Sequence, residues 1–294
     1  MGGFVQIRPW HATPWNILQG MTTALVLGGG GVAGIAWEAG IVTGLRRRGV
    51  DLGTADRIIG TSAGSVVGTL VAAGADLEEA VAHQAEVDTG PPPAADMNEI
   101  MQAFAVLFDP NLDRREARRR VGQMALAARV DHYADRLAAV GERLPVKEWP
   151  ERELLITSVD AATGEFVVWD RSSGAPLVLA VASSCAVPLV FPPVEINGRK
   201  YVDGGVRSAT NADLAEGARA LVVLEPLGNW TPRTVLEAEL AKAGATASYV
   251  VHPDSAAVAV FGQNVLDPAL WGPAFEAGIN QAAALVEPIT AVWS

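Results

Sequence analysis

One cysteine, Cys185, stands in 294 residues, so an internal disulfide is impossible and a cysteine-built metal cluster is excluded. No stretch approaches the eighteen or so uninterrupted apolar residues of a membrane span. Met1 to Gly20 lack the basic start and apolar middle of a secretory signal. Basic side chains are the minority, 22 against 33 acidic, and the formal net charge is −11. That balance argues against nucleic acid as a partner and against strong electrostatic docking to anionic lipid. Histidine is scarce as well, with only His11, His83, His132 and His252. What is abundant is apolar: half of the residues are hydrophobic, enough for a large core. Cytoplasmic residence is the default expectation, with Cys185 in "VASSCAVP" as a small buried hydrophobe.

Residues 1–20 read as an irregular extension carrying Trp10 and Trp15, with Met21 as an alternative start. Residues 21–294 read as a single α/β domain. Thr23 to Leu27 is a short apolar strand ended by four glycines, and Gly34 to Arg48 reads as a helix capped by Gly49. Arg57 to Gly60 is the next strand and Ala63 to Ala73 the next helix, the opening of a parallel sheet. Three prolines in "TGPPPAAD" break the rhythm, and a helical insertion of about residues 92–150 follows. Within it Asp113-x-x-Glu116 resembles a capping box. Arg114, Arg115, Arg118, Arg119 and Arg120 read as a solvated helix face with acidic neighbours. The α/β pattern then resumes, with strands at Leu154–Val159, Glu165–Asp170, Ala220–Leu224 and Tyr249–His252. Helices are expected at Pro176–Cys185 and about Thr234–Ala243, and the tail from Asp254 is mostly helical.

Three stretches carry chemistry. "GGGGVAG" contains G-x-G-x-x-G from Gly29 to Gly34, but the acidic residue a dinucleotide site needs at the end of the second strand is missing. The other uses of such a loop are a tight turn or a cradle of backbone amides for an anion, including a developing oxyanion. "GTSAG" puts Ser62 between Gly60 and Gly64 on a strand-to-helix turn, the pattern of a nucleophile elbow. Serine is equally favoured there as a helix N-cap. A nucleophile needs a base. His252, ending a strand, would give the order Ser62…Asp203…His252 of an α/β-hydrolase triad. Asp203, in "YVDGG", reads as a turn residue or as a carboxylate that takes the serine proton directly, made more basic by desolvation.

Gly29-Gly30-Gly31-Val32-Ala33-Gly34, Gly60-Thr61-Ser62-Ala63-Gly64 and Asp203-Gly204-Gly205, in that order and with "AVPLVFPPV" upstream of the aspartate, resemble the signature blocks of patatin-like phospholipases. The resemblance covers roughly Thr23 to Leu227. It implies a three-layer α/β/α fold with a mostly parallel central sheet. It also implies a Ser–Asp dyad of Ser62 and Asp203, with the amides of Gly29, Gly30 and Gly31 as the oxyanion hole. Implied too are a lipid or fatty-acyl ester substrate, transient contact with membrane surfaces, and no metal or organic cofactor. A non-catalytic lipid- or acyl-binding relative is the alternative. Many members carry Lys or Arg where Ala33 stands.

Overall fold

The computed structural model describes residues 22–93, 96–130, 134–142 and 144–293. The extension over residues 1–20, His11 and His132 lie outside them. β1 (Thr23–Leu27) and β2 (Arg57–Gly60) pair in parallel, and their alternate residues belong to two different clusters. Leu25, Leu27 and Ile58 face a core built with α1 (Gly31–Arg46), α2 (Ala63–Ala72) and α10 (Trp271–Trp293). Ala24, Val26 and Ile59 face Leu214, Leu236 and Ala243, from a 3-10 turn and α8 (Arg233–Ala243). A strand buried on both sides needs apolar residues at every position, which is why these strands read as continuous runs. The result is a three-layer α/β/α sandwich.

Hydrogen-bonded neighbours run β5-β6-β3-β2-β1-β7-β8, with β4 also on β3. β3 (Glu153–Asp160), β7 (Ala220–Leu224) and β8 (Ala247–Val251) extend the parallel ladder. β4 (Phe166–Trp169), β5 (Val194–Ile196) and β6 (Arg199–Asp203) are antiparallel. The β5–β6 hairpin falls in a stretch whose prolines hid it. Its signal was Asn197-Gly198, both at positive φ (51° and 76°), the dipeptide of a two-residue turn. α1 also begins three residues earlier than the glycine run suggests, because the Gly34 N–H already donates to the Gly30 carbonyl at 2.8 Å.

After α3 (Leu77–Val87) come α4 (Met97–Leu107), α5 (Arg114–Ala127) and α6 (Ala134–Glu142) before the chain enters β3. Asp113 caps α5 by accepting the Arg115 and Glu116 amides, as the box pattern requires. The Glu116 side chain turns instead to Arg119 and Arg120. α7 (Leu177–Ser184) packs on β3, and α9 (Ser255–Phe261) precedes α10. Among the described residues, no helix is long and apolar enough to cross a membrane.

Candidate active site

β2 ends at Gly60, and α2 starts three residues later. Ser62, between them, sits at φ 53°, ψ −117°, a left-handed conformation that costs a non-glycine residue ~1–3 kcal/mol. Its surroundings hold it there. The Ser62 N–H donates to Ser184 Oγ at 2.9 Å, and its carbonyl accepts from the Ser65 N–H at 2.8 Å and Ser65 Oγ at 2.6 Å. The flanking glycines are steric requirements: a Cβ on Gly60 would lie 2.5 Å from the Gly64 carbonyl oxygen, and one on Gly64 would collide with the Leu27 carbonyl. The N-cap alternative fails, since the Ser62 side chain makes no capping bond to α2. Its hydroxyl stands near enough to the Asp203 carboxyl to pull that group's pKa downward.

Register explains that meeting. Ile156 of β3 pairs with Gly60 and Trp169, while Ser158 pairs with Asp203 and Val167. A strand has only two edges and β4 occupies one from Ile156 to Val159, so β2 and β6 share the other. β6 enters the slot that β2 leaves at the elbow and brings Asp203 level with Ser62 from the opposite direction. Asn211, at φ 52° and fully buried, ties the pieces together. Its Nδ2 donates to Thr61 Oγ1 at 3.0 Å and to the Ser208 carbonyl at 2.8 Å, and Thr61 Oγ1 lies 2.8 Å from Thr157 Oγ1. Burial pushes the Asp203 carboxyl up to about 7, against the pull of the Ser62 hydroxyl and the Gly205 N–H, which donates to Oδ1 at 2.7 Å. A carboxyl titrating near neutrality is suited to take and return a proton.

The glycine loop lies beside the same serine. A Cβ on Gly29 would stand 3.5 Å from Ser62 Cβ. The Gly29 N–H donates to the Ala209 carbonyl at 2.8 Å and the Gly28 N–H to Leu224 O at 3.0 Å. The N–H groups of Gly30 and Gly31 have no partner among the described residues, which leaves both able to receive an anion at the α1 N-terminus. Gly31 adopts φ +60°, and any Cβ there would press on Val265 and Leu266. Ala33, where a cation is common in the family, is fully buried.

Glu38 escaped the sequence reading, although a single carboxylate in the apolar helix "GVAGIAWEAGIVTGLR" is a legible oddity. Wholly buried behind the loop, it accepts the Gly28 N–H through Oε1 at 2.8 Å. Burial raises its carboxyl well above the usual range, against the pull of the Gly28 N–H.

A cavity of about 310 Å³ opens from Ser62, walled chiefly by apolar side chains such as Ile35, Val66, Leu70, Val187, Phe191 and Leu266. Cys185 is more than a buried hydrophobe: it lines the cavity, and its thiol approaches the Ser62 carbonyl at 3.4 Å. Burial pushes that thiol up to about 12, so it stays neutral. His252 is elsewhere. Its Nδ1 stands 3.1 Å from Glu225 Oε2 and its Nε2 2.6 Å from Arg233 Nη1. It follows β8, three strand spacings from β2, a separation of about 14 Å. His83 lines the cavity from the exposed side of α3 and is not hydrogen-bonded to Ser62 or Asp203.

Several known proteins are similar to this chain. Uncharacterized NTE family proteins of Mycobacterium bovis and Mycobacterium tuberculosis are 32% identical over 184 residues, covering 62% of this chain and 42% of theirs. A second pair from the same organisms is 28% identical over 189 residues, covering 64% of this chain and 27% of theirs. The chain thus spans less than half the length of these relatives. Among solved structures, VipD from Legionella pneumophila matches with 13% identity and a TM-score of 0.45, covering 92% of this chain and 67% of that one. The type III effector protein ExoU matches with 14% identity and a TM-score of 0.32, covering 90% and 53%. The family model described as patatin-like phospholipase matches residues 25–216, from β1 through the 3-10 turn beyond Asp203, and by that match the chain belongs to the patatin-like phospholipase family.

Proposed function

We propose that the protein is a serine acyl hydrolase acting on lipid carboxyl esters through a Ser–Asp dyad. The observation that carries this reading is the strained Ser62 elbow opening into an apolar cavity, with the buried Asp203 carboxyl close enough to feel the Ser62 hydroxyl. Ser62 Oγ attacks the acyl carbonyl carbon while Asp203, ionised, accepts the hydroxyl proton. The carbonyl oxygen becomes the oxyanion, held by the Gly30 and Gly31 amides; each such donor is worth ~3–4 kcal/mol of barrier. Gly29, whose amide is spent on Ala209, keeps the loop close to Ser62. As the intermediate collapses, Asp203 returns the proton to the departing alcohol and an acyl-Ser62 ester remains. Water, deprotonated by the same carboxylate, then releases the fatty acid. The cavity suits an acyl chain, and peripheral contact with a membrane surface from a cytoplasmic location fits a lipid substrate.

The test combines turnover with labelling. Wild type should hydrolyse fatty-acyl esters and lysophospholipid, and a fluorophosphonate probe should label Ser62. Ser62→Ala should abolish both. Folded wild type that neither turns over nor labels would leave the non-catalytic binding alternative.

A further inference from the structure

We propose that the outer face of α4, together with the arginines where α5 begins, is a docking surface for an anionic lipid bilayer; this rests on the lipid-ester reading above. α4 is apolar on two sides. Inward, Ala103 is buried and Ile100 packs against the cluster of Leu137, Ala186, Val190 and Phe191, of which Phe191 walls the cavity at Ser62. Outward, Met101, Phe104 and Phe108 are 62%, 49% and 43% exposed. Steps of three and four residues put them on one stripe. The two phenylalanine rings stack within 2° of parallel at 6.2 Å.

Positive charge stands at the end of that stripe. Arg114 Nη1 donates to the Leu107 carbonyl at 3.1 Å, which brings its guanidinium to the α4 C-terminus beside Phe108. Arg115 Nε donates to the Thr163 carbonyl and Arg118 Nε to the Gly164 carbonyl. Carbonyls satisfy a guanidinium's hydrogens without cancelling its charge. Arg119 and Arg120, by contrast, share the single carboxylate of Glu116. Arg118 is held below the ordinary arginine range, first by burial and then by Arg207, with Arg115 and Arg114 adding to it against Asp113. The cations therefore crowd one another.

The overall charge of −11 speaks against an anionic surface only at long range. At about 10 Å screening length in ordinary salt, the local sign decides the contact. Three exposed apolar side chains are far short of the ~800 Å² per partner that a stable protein interface buries, whereas a bilayer needs no complementary shape. Apolar anchors beside basic residues are the composition of an interfacial helix. With this face on the bilayer, the helix whose inner side packs against the cavity wall lies at the lipid source.

Co-sedimentation of the full chain with phosphatidylcholine vesicles, with and without phosphatidylserine, tests this. Binding should be at least about tenfold tighter with phosphatidylserine and should weaken with salt. The double variant Phe104→Ser, Phe108→Ser should lose about tenfold or more of that affinity. Arg114→Gln with Arg115→Gln should remove most of the phosphatidylserine preference. Both double variants should keep wild-type turnover of a water-soluble short-chain ester and wild-type melting temperature. The proposal is overturned if wild type ignores phosphatidylserine vesicles or if the phenylalanine variant binds them equally well. It is also overturned if that variant instead splits an oligomer seen by sedimentation, making the face a self-contact. Failure of the hydrolytic reading looks different: wild type would bind vesicles yet leave the soluble ester intact.

Discussion

Replacing Asp203 by asparagine separates what this carboxyl does for chemistry from what it costs the fold. Its ordinary value is 3.8, and in the folded chain it is raised to about 7, chiefly by burial. Each pKa unit corresponds to ~1.4 kcal/mol, so the shift amounts to roughly 4 kcal/mol. The sign follows from which state holds the proton. Between pH 4 and 7 the folded chain keeps a proton that the unfolded chain has released. Stability is therefore full below about pH 4, falls as pH rises toward 7, and levels beyond it. Asparagine cannot ionise and still accepts the Gly205 N–H, so Asp203→Asn should escape this loss. At pH 8 it should be more stable than wild type by up to ~4 kcal/mol, less ~1 for the altered Ser62 bond; at pH 4 the two should nearly coincide. Urea unfolding at both pH values measures this. In parallel, kcat/KM of wild type on a soluble ester should rise along one limb with a midpoint near pH 7, and Asp203→Asn should lose about 10²–10⁴-fold. A variant no more stable than wild type at pH 8, or a limb finished below pH 5, would refute the reasoning.

Ser62→Gly should relieve the left-handed strain and stabilise the fold by about 1 kcal/mol, net of the glycine's extra unfolded-state freedom, while ending turnover; a drop in melting temperature would count against the strained elbow. Glu38→Gln keeps an acceptor for the Gly28 amide and should retain near wild-type kcat, whereas Glu38→Leu should lower kcat roughly tenfold, with KM little changed, by loosening a loop whose donors are worth ~3–4 kcal/mol each. Equal losses in the two variants would make Glu38 a packing residue only. His252→Ala and His83→Ala should each keep activity within a few-fold, as steady-state assays would reveal, since neither imidazole is hydrogen-bonded to the dyad.

The strands β1, β2 and β7 were legible because burial on both faces forces unbroken apolar runs, and the elbow because only glycine fits on either side of Ser62. The choice between the N-cap and elbow readings of that serine was not legible. Both use the same residues, and only the rotamer that sends the hydroxyl to Asp203 separates them. The β5–β6 hairpin was hidden by prolines despite its Asn-Gly turn. Glu38 and Asn211 were overlooked because their roles depend on partners distant in the chain, Gly28 for Glu38 and Thr61 for Asn211, which no local pattern records. The same holds for the division of labour among the glycines, where Ala209 claims the Gly29 amide and leaves those of Gly30 and Gly31 open. Sequence by itself determined the alternation of elements and the residue types at each turn, since these follow from local sterics and from side-chain burial at short range. Tertiary structure decided which titratable side chain comes near Ser62. β6 takes the edge of β3 that β2 vacates, while β8 lies three strands away, and strand order is set by the packing of the whole sheet rather than by neighbours in the chain.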